Sequence, residues 1–298
     1  MGLLPDLDEL VALRGAAHGL EMHLRHPAAA QLQGGHRSAH RGRGLEFDEV
    51  RAYAQGDDAR TIDWRVTARR GRPHTKLFRE ERERVVWLLA DLHPGLYFGS
   101  RQQLKSALLL RAAAWLAWVT ISAGDRLGAV LTQGAASPQL LPPRSRDIGA
   151  LATLQALVQS QPRAPGMPAA NGLAVALSTL RPLLRSGSTV FVLSDFCTLD
   201  AAAETALLTI GLRAECRLLW LTDPLERDGL PDGAFRVGLP GQSWSIDGAG
   251  SRSAWVAAWA QREQRLADLS RNHRLPLLRL DTAGDLAQAL PRFISESR

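Results

Sequence analysis

The sequence predicts an α/β fold built on a doubly wound, mostly parallel sheet. Two near-continuous apolar runs, VVWLLADL at residues 85–92 and TVFVL at 189–193, have the composition of strands covered on both faces. From residue 85 onward such runs alternate with segments of helical periodicity, the pattern of a parallel sheet with crossover helices. With 298 residues, 45% of them hydrophobic, there is ample apolar material for one large core.

Element by element, Leu7, Leu10, Val11, Leu13, Leu20 and Leu24 give residues 7–24 a loosely helical pattern. Residues 25–44, rich in His, Arg and Gly, read as a loop. Residues 45–53 and 62–68 read as short strands or irregular segments, and the alternating 75–79 leads into the strand 85–92. A helix is expected over 104–121 and a strand over 126–132, with 138–141 placed to pair with it. Helices follow at 146–158 and 173–184, separated by the breaker-rich PRAPGMPAANG. The strand 189–193, helix 201–213 and strand 217–221 continue the alternation. Residues 234–237 and 243–246 read as a hairpin or two edge strands. Helix 252–272, strand 275–280 and helix 284–294 close the chain. Three segments result: an N-terminal helix and loop over 1–36, an Arg/Asp-rich module over 37–84, and the α/β domain over 85–298.

The formal charge is +6, and of 36 basic residues only Lys76 and Lys105 are lysines. A basic balance permits contact with nucleic acid or acidic protein surfaces. Residues 37–84 nevertheless carry thirteen Lys/Arg against nine Asp/Glu, and phosphate binding wants an uncompensated basic stripe. A nucleic-acid binder is therefore a secondary reading. Two isolated cysteines, Cys197 and Cys216, make no disulfide framework and fit a reducing cytoplasm. The N-terminus MGLLPDLDELVALRG lacks the basic and apolar regions of a signal peptide. The longest mostly apolar run, residues 112–124, is 13 residues, short of the ~18–20 that span a bilayer.

Residues 42–83 hold the most specific pattern. Gly44-Leu45-Glu46-Phe47 is followed by Arg51-x-Tyr53, then Gly56-Asp57-Asp58-x-Arg60-x-Ile62-Asp63-Trp64, Ala68-Arg69 and Lys76-x-Phe78-x-x-Glu81. Far downstream stands Asp223-Pro224-Leu225-Glu226. Together they resemble the signature of the domain of unknown function 58 family, a likeness that covers nearly the whole chain from about Arg37. The resemblance implies a von Willebrand factor type A-like fold for residues 85–294. It also implies a bacterial, cytoplasmic setting and a MoxR-type AAA ATPase as partner in chaperone-like maturation of other proteins. Longer relatives carry membrane helices ahead of the signature, so a soluble form is expected here.

Type A domains place a divalent cation at the carboxyl ends of central strands, held by Asp-x-Ser-x-Ser, a Thr and a second Asp. Here Asp91 is kept, His93 and Gly95 replace the two serines, Asp195 matches the second Asp, and the loop at 167–172 has no Thr. Two carboxylates hold Mg²⁺ weakly at most, because a hard cation wants more oxygen ligands. Asp91, His93 and Asp195 together have more transition-metal character. The leading reading is two strand-end carboxylates bonded to loop N–H groups with no metal, and no cofactor is expected.

Asp57, Asp58 and Asp63 lie within seven residues, among Arg51, Arg60, Arg65 and Arg69. They read either as an ion-paired platform for a partner or, with His74, as a metal-dependent hydrolase site. The ion-paired platform is the leading reading. Six of the eight histidines fall in the first 74 residues and read as solvated loop side chains. No nucleophile elbow, Walker A or Gly-x-Gly-x-x-Gly is present, and Cys197 has no base placed by the sequence. Trp115, Trp118, Trp255 and Trp259 sit at helical spacings and read as core. Trp64 reads as a partner anchor, since aromatic residues dominate interface hot spots. The function expected from the sequence is that of a non-enzymatic adaptor.

Overall fold

The computed structural model describes residues 3–17, 45–54, 59–80, 84–134, 137–239 and 242–295, with backbone alone at 45–49, 61, 76–80, 239 and 242. In chain order the elements are α1 (Leu7–Ala12), α2 (Arg14–Ala17), β1 (Leu45–Ala52), α3 (Trp64–Arg70), β2 (His74–Glu80), β3 (Val85–Asp91), α4 (Lys105–Ser122), β4 (Arg126–Thr132), β5 (Gln139–Arg144), α5 (Arg146–Ser160), α6 (Gly172–Leu180), β6 (Thr189–Ser194), α7 (Ala201–Gly211), β7 (Glu215–Thr222), α8 (Pro224–Asp228), β8 (Ala234–Leu239), β9 (Gln242–Asp247), α9 (Gly248–His273), β10 (Leu277–Asp281) and α10 (Leu286–Ser295). Contacts group them into two units, one comprising Met1–Ala29 with Arg84–Arg298, the other Ala30–Glu83.

The larger unit is the α/β fold expected. Its six-stranded sheet runs β10-β7-β6-β3-β4-β5, parallel throughout except for the edge pair β4–β5. β5 carries Pro142 and Pro143, and proline suits an edge because it cannot donate to a ladder. β3 and β6 are buried over almost their whole length because helices cover both faces of the sheet. One face packs against α4, α5 and α10 through Leu109, Trp118, Leu154 and Phe293. The other packs against α6, α7 and α9 through Leu177, Leu207 and Trp259, whose indole stacks on Trp220 with centroids 4.9 Å apart. Gly128 on β4 lets Trp87 of β3 fill the second face, for a Cβ there would stand 2.7 Å from its ring. The chain steps from β3 to β4 in one direction and to β6, β7 and β10 in the other. The strand order therefore reverses between β3 and β6, where ligands of open α/β sheets sit.

The N-terminal helix belongs to this unit rather than standing apart. Leu10 is fully buried, Trp118 Nε1 donates to the Leu10 carbonyl at 3.0 Å, and Arg111 bonds Glu9 at 2.7 Å. The continuation expected to residue 24 lies outside the described residues beyond Ala17.

In the smaller unit β1 and β2 pair antiparallel, with a register irregularity between Phe47 and Glu49. Residues 62–68 differ from the strand-or-irregular reading. Ile62 makes a single bridge to Thr75, and the chain then turns into the helix α3. The reason lies in its ends. The Asp63 carboxylate accepts the N–H groups of Arg65 and Val66 at 2.9 and 3.2 Å, satisfying donors that a helix start leaves open. Gly71 ends the helix at φ 70°, a left-handed cap that favours glycine. α8 was also absent from the sequence reading, and its start is part of the site.

Candidate functional site at the strand ends

β3 and β6 are hydrogen-bonded neighbours with Ala90 level with Leu193, so Asp91 and the Ser194-Asp195 pair emerge side by side at their carboxyl ends. All three are buried. Ser194 Oγ donates to Asp91 Oδ2 at 2.7 Å and accepts the Phe196 N–H at 2.9 Å. Phe196 has φ 54°, in the left-handed region that a bulky side chain rarely occupies. The reversal brings the Cys197 N–H back onto Asp195 Oδ1 at 3.0 Å. His93 Nε2 stands 3.1 Å from the same oxygen and 3.6 Å from Cys197 Sγ.

The other Asp195 oxygen, Oδ2, accepts from Lys105 Nζ at 2.8 Å, and that ammonium also donates to Glu226 Oε1 at 2.7 Å. The Lys105 side chain is 2% exposed and that of Asp195 4%. Lys105 is the first residue of α4, where a cation opposes the helix dipole; its two carboxylate partners offset that. Glu226 Oε2 in turn accepts the Asp223 N–H at 3.2 Å, while Asp223 caps α8 through the Leu225 N–H at 2.9 Å. This is a complete capping box, with Pro224 at the first helical position. Asp223 also accepts from the Ser100 backbone and hydroxyl and from the Thr282 hydroxyl. Trp255 Nε1 donates to the Glu226 carbonyl at 2.8 Å. Asp-Pro-Leu-Glu is therefore a structural hub that joins β7, α4, α9 and the residue after β10.

Burial sets the electrostatics. It pushes the Asp91 carboxyl up to about 6, against the opposing pull of His93 and the Ser194 bond. For Asp195 burial is outweighed by the Lys105 ammonium and the His93 bond, which hold its carboxyl well below the usual range. Burial opposes the charged forms of His93 and Lys105, yet the Asp195 bond and the neighbouring carboxylates raise both. The Cys197 thiol is pushed far up by burial and then by Asp195.

The signature residues fall in the smaller unit. Glu46 and Arg51 lie on β1, Tyr53 just after it, Trp64 and Arg69 on α3, Lys76 on β2. Gly56, Asp57 and Asp58 lie outside the described residues, so their ion-paired or catalytic reading has no geometry here. Arg51 donates to the Ala52 carbonyl at 3.1 Å, and the Tyr53 N–H to the Pro73 carbonyl at 2.9 Å. Arg60 and Arg69 are exposed. His74 is buried, its Nδ1 2.7 Å from the Arg72 carbonyl. Trp64 is 69% exposed.

The family model described as "Protein of unknown function DUF58" matches residues 49–254. The chain belongs to the DUF58 family. Uncharacterized proteins of Mycobacterium bovis and Mycobacterium tuberculosis are each 31% identical to it over 98% of this chain and 92% of theirs. Among solved structures, an aerotolerance-related membrane protein from Bacteroides fragilis covers 71% of this DUF58 chain at 15% identity, with a TM-score of 0.46 and 98% of its own length matched. An uncharacterized membrane-spanning protein from Vibrio fischeri covers 66% at 16% identity, with a TM-score of 0.20 and 90% of its own length matched. Among the described residues of the DUF58 protein, no helix is long and apolar enough to cross a membrane.

Lys105 is the site residue that sequence reasoning missed, and Cys197 was weighed without the His93 that stands beside it. The signal for Lys105 was its residue type, one of two lysines in a chain that otherwise uses arginine. An ammonium is a compact point charge that fits between two carboxylates, whereas a guanidinium is a broad planar fork.

Proposed function

We propose that this DUF58 protein is a non-enzymatic adaptor of the bacterial cytoplasm. It works with a MoxR-type AAA ATPase in chaperone-like assembly or maturation, on a type A-like scaffold. The observation that carries this reading is Trp64. It stands 69% exposed at the first position of a helix capped at both ends, within the family's signature segment. Exposed Arg65, Arg69 and Arg70 share that helix, and an aromatic among arginines is the composition of an interface hot spot. Further support comes from the groups a hydrolase would need. Asp63 is engaged with helix N–H groups, and His74 Nδ1 with a carbonyl. At the strand ends Lys105 supplies the positive charge that a divalent ion would bring, so Mg²⁺ binds more weakly than about millimolar.

The test is co-purification. The tagged full chain, recovered from its native cell and analysed by mass spectrometry, brings down a MoxR-type ATPase in near-stoichiometric amount. Recovery without any ATPase, together with chelator-sensitive hydrolysis by the purified chain, would overturn the reading.

A further inference from the structure

Beyond the proposed adaptor role, the end of the sheet holds an unassigned set of donor atoms. We propose that His93 Nε2, Asp195 Oδ1 and Cys197 Sγ form a site for a borderline transition-metal ion of the zinc class, with water as fourth ligand. The three donors lie within 4.8 Å of one another. Zinc bonds of ~2.05 Å to nitrogen, ~2.1 Å to oxygen and ~2.3 Å to sulfur at tetrahedral angles put nitrogen and sulfur ~3.6 Å apart and nitrogen and oxygen ~3.4 Å apart. The structure has 3.6 Å and 3.1 Å. Of these two pairs, nitrogen–sulfur already matches and nitrogen–oxygen needs to open by a few tenths of an ångström, while the sulfur stays within 4.8 Å of the carboxylate.

The donor set decides the metal class. One imidazole, one thiolate and one carboxylate suit zinc or cobalt and not Mg²⁺ or Ca²⁺, which take oxygen. Asp91, counted as a ligand from sequence, drops out because its carboxylate is tied to Ser194. Cys197 replaces it. The frame is rigid: His93 is buried after β3, Asp195 is buried after β6, and the Phe196 turn fixes Cys197 beside both. Cys197 is an exposed residue although its sulfur is packed against buried groups, and the fourth ligand comes from the solvent side. Asp195 serves both cations, Oδ1 toward the metal and Oδ2 to Lys105. On binding, the thiol proton leaves to solvent; the Nε2 proton leaves to solvent from an imidazolium or shifts to Nδ1 in a neutral ring, and no electrons move.

Affinity is expected to be moderate. His93 Nδ1 is buried with no hydrogen-bond partner, and a ligand histidine without an outer partner costs about 10–100-fold in metal affinity. The Lys105 ammonium adds a like charge nearby.

The test is titration of the reduced, metal-free full chain with Co²⁺. One equivalent is expected to bring up an intense thiolate-to-cobalt charge-transfer band, which Zn²⁺ then displaces. Cys197→Ser abolishes the band and Cys216→Ser keeps it, because Cys216 is buried in β7. A parent protein without the band, or a band that survives in Cys197→Ser, overturns the site. Should Cys197→Ser fail to fold, alkylation of the parent decides: zinc slows modification of Cys197 at least tenfold if the site exists, and an unchanged rate overturns it.

Discussion

The strand-end network and the signature helix both begin from an aspartate after a strand-like segment, and the two regions use it in opposite directions. At the strand ends Asp195 and Asp223 face inward. Their charges are answered by Lys105 and by hydroxyl and amide donors, and the result is a closed hub. In the signature helix Asp63 also satisfies amide donors, but the residue that follows it, Trp64, is turned out to solvent. The difference teaches that the two family motifs do different local work. Asp-Pro-Leu-Glu assembles the scaffold, and the Asp63-Trp64 step presents a surface.

The largest effect expected from this contrast is at Lys105. Lys105→Met takes from the buried Asp195 and the mostly buried Glu226 the ammonium that they share, and removing one partner of a buried pair costs about 3–5 kcal/mol. Arg227→Met removes one member of the exposed pair with Asp228, at most ~1 kcal/mol. Denaturant midpoints of the two variants read the difference directly. Equal losses would show that the network is not closed.

Asp91 gives a pH signature of similar size. Its carboxyl titrates near 3.8 when unfolded and at about 6 when folded. Between those values the unfolded chain releases a proton that the native state keeps, so stability falls as pH rises through the window. The full drop is ~3 kcal/mol, at 1.36 kcal/mol per pKa unit. Asp195 does not interfere, since its lowered pKa makes its contribution complete above 3.8. His93, whose pKa is raised above 6.5, loses its contribution only at higher pH. Asp91→Asn, measured by urea unfolding at several pH values in chelating buffer, is expected to flatten the slope between pH 4 and 6. A slope as steep as the parent's would refute the assignment.

The signature helix should respond more gently. Asp63→Ala removes the cap and is expected to cost ~1 kcal/mol, whereas Asp63→Asn keeps a capping oxygen. Thermal melts that rank alanine below asparagine support the cap. Asparagine as damaging as alanine would make the charge of Asp63, rather than its cap, the stabilising element.

The central strands were legible because their apolar runs exceed what a half-exposed strand carries, and each ends in an aspartate that lands where the sheet's order reverses. α3 was not, because Ile62, Trp64 and Val66 alternate like a strand. Asp63 at the start, two arginines near the end and Gly71 after them were the overriding signal. The hub was hidden for another reason. Lys105, Asp195 and Glu226 are separated by 90 and 121 residues and meet only through the topology of β6, β7 and α4. Counting oxygen ligands at the strand ends left no place for a lysine. Cys197 read as a thiol without a base, because its approach to His93 depends on the left-handed turn at Phe196, which no residue pattern announces.

The smallest effect on stability tests the central claim. Trp64→Ala, with an indole already 69% exposed, is expected to change the melting free energy by less than ~0.5 kcal/mol. The same substitution should weaken binding to the co-purified ATPase at least thirtyfold, the ~2 kcal/mol of a hot spot. Calorimetric titration of that partner with the parent and with Trp64→Ala is the deciding measurement. Unaltered affinity in a folded Trp64→Ala protein would contradict the account.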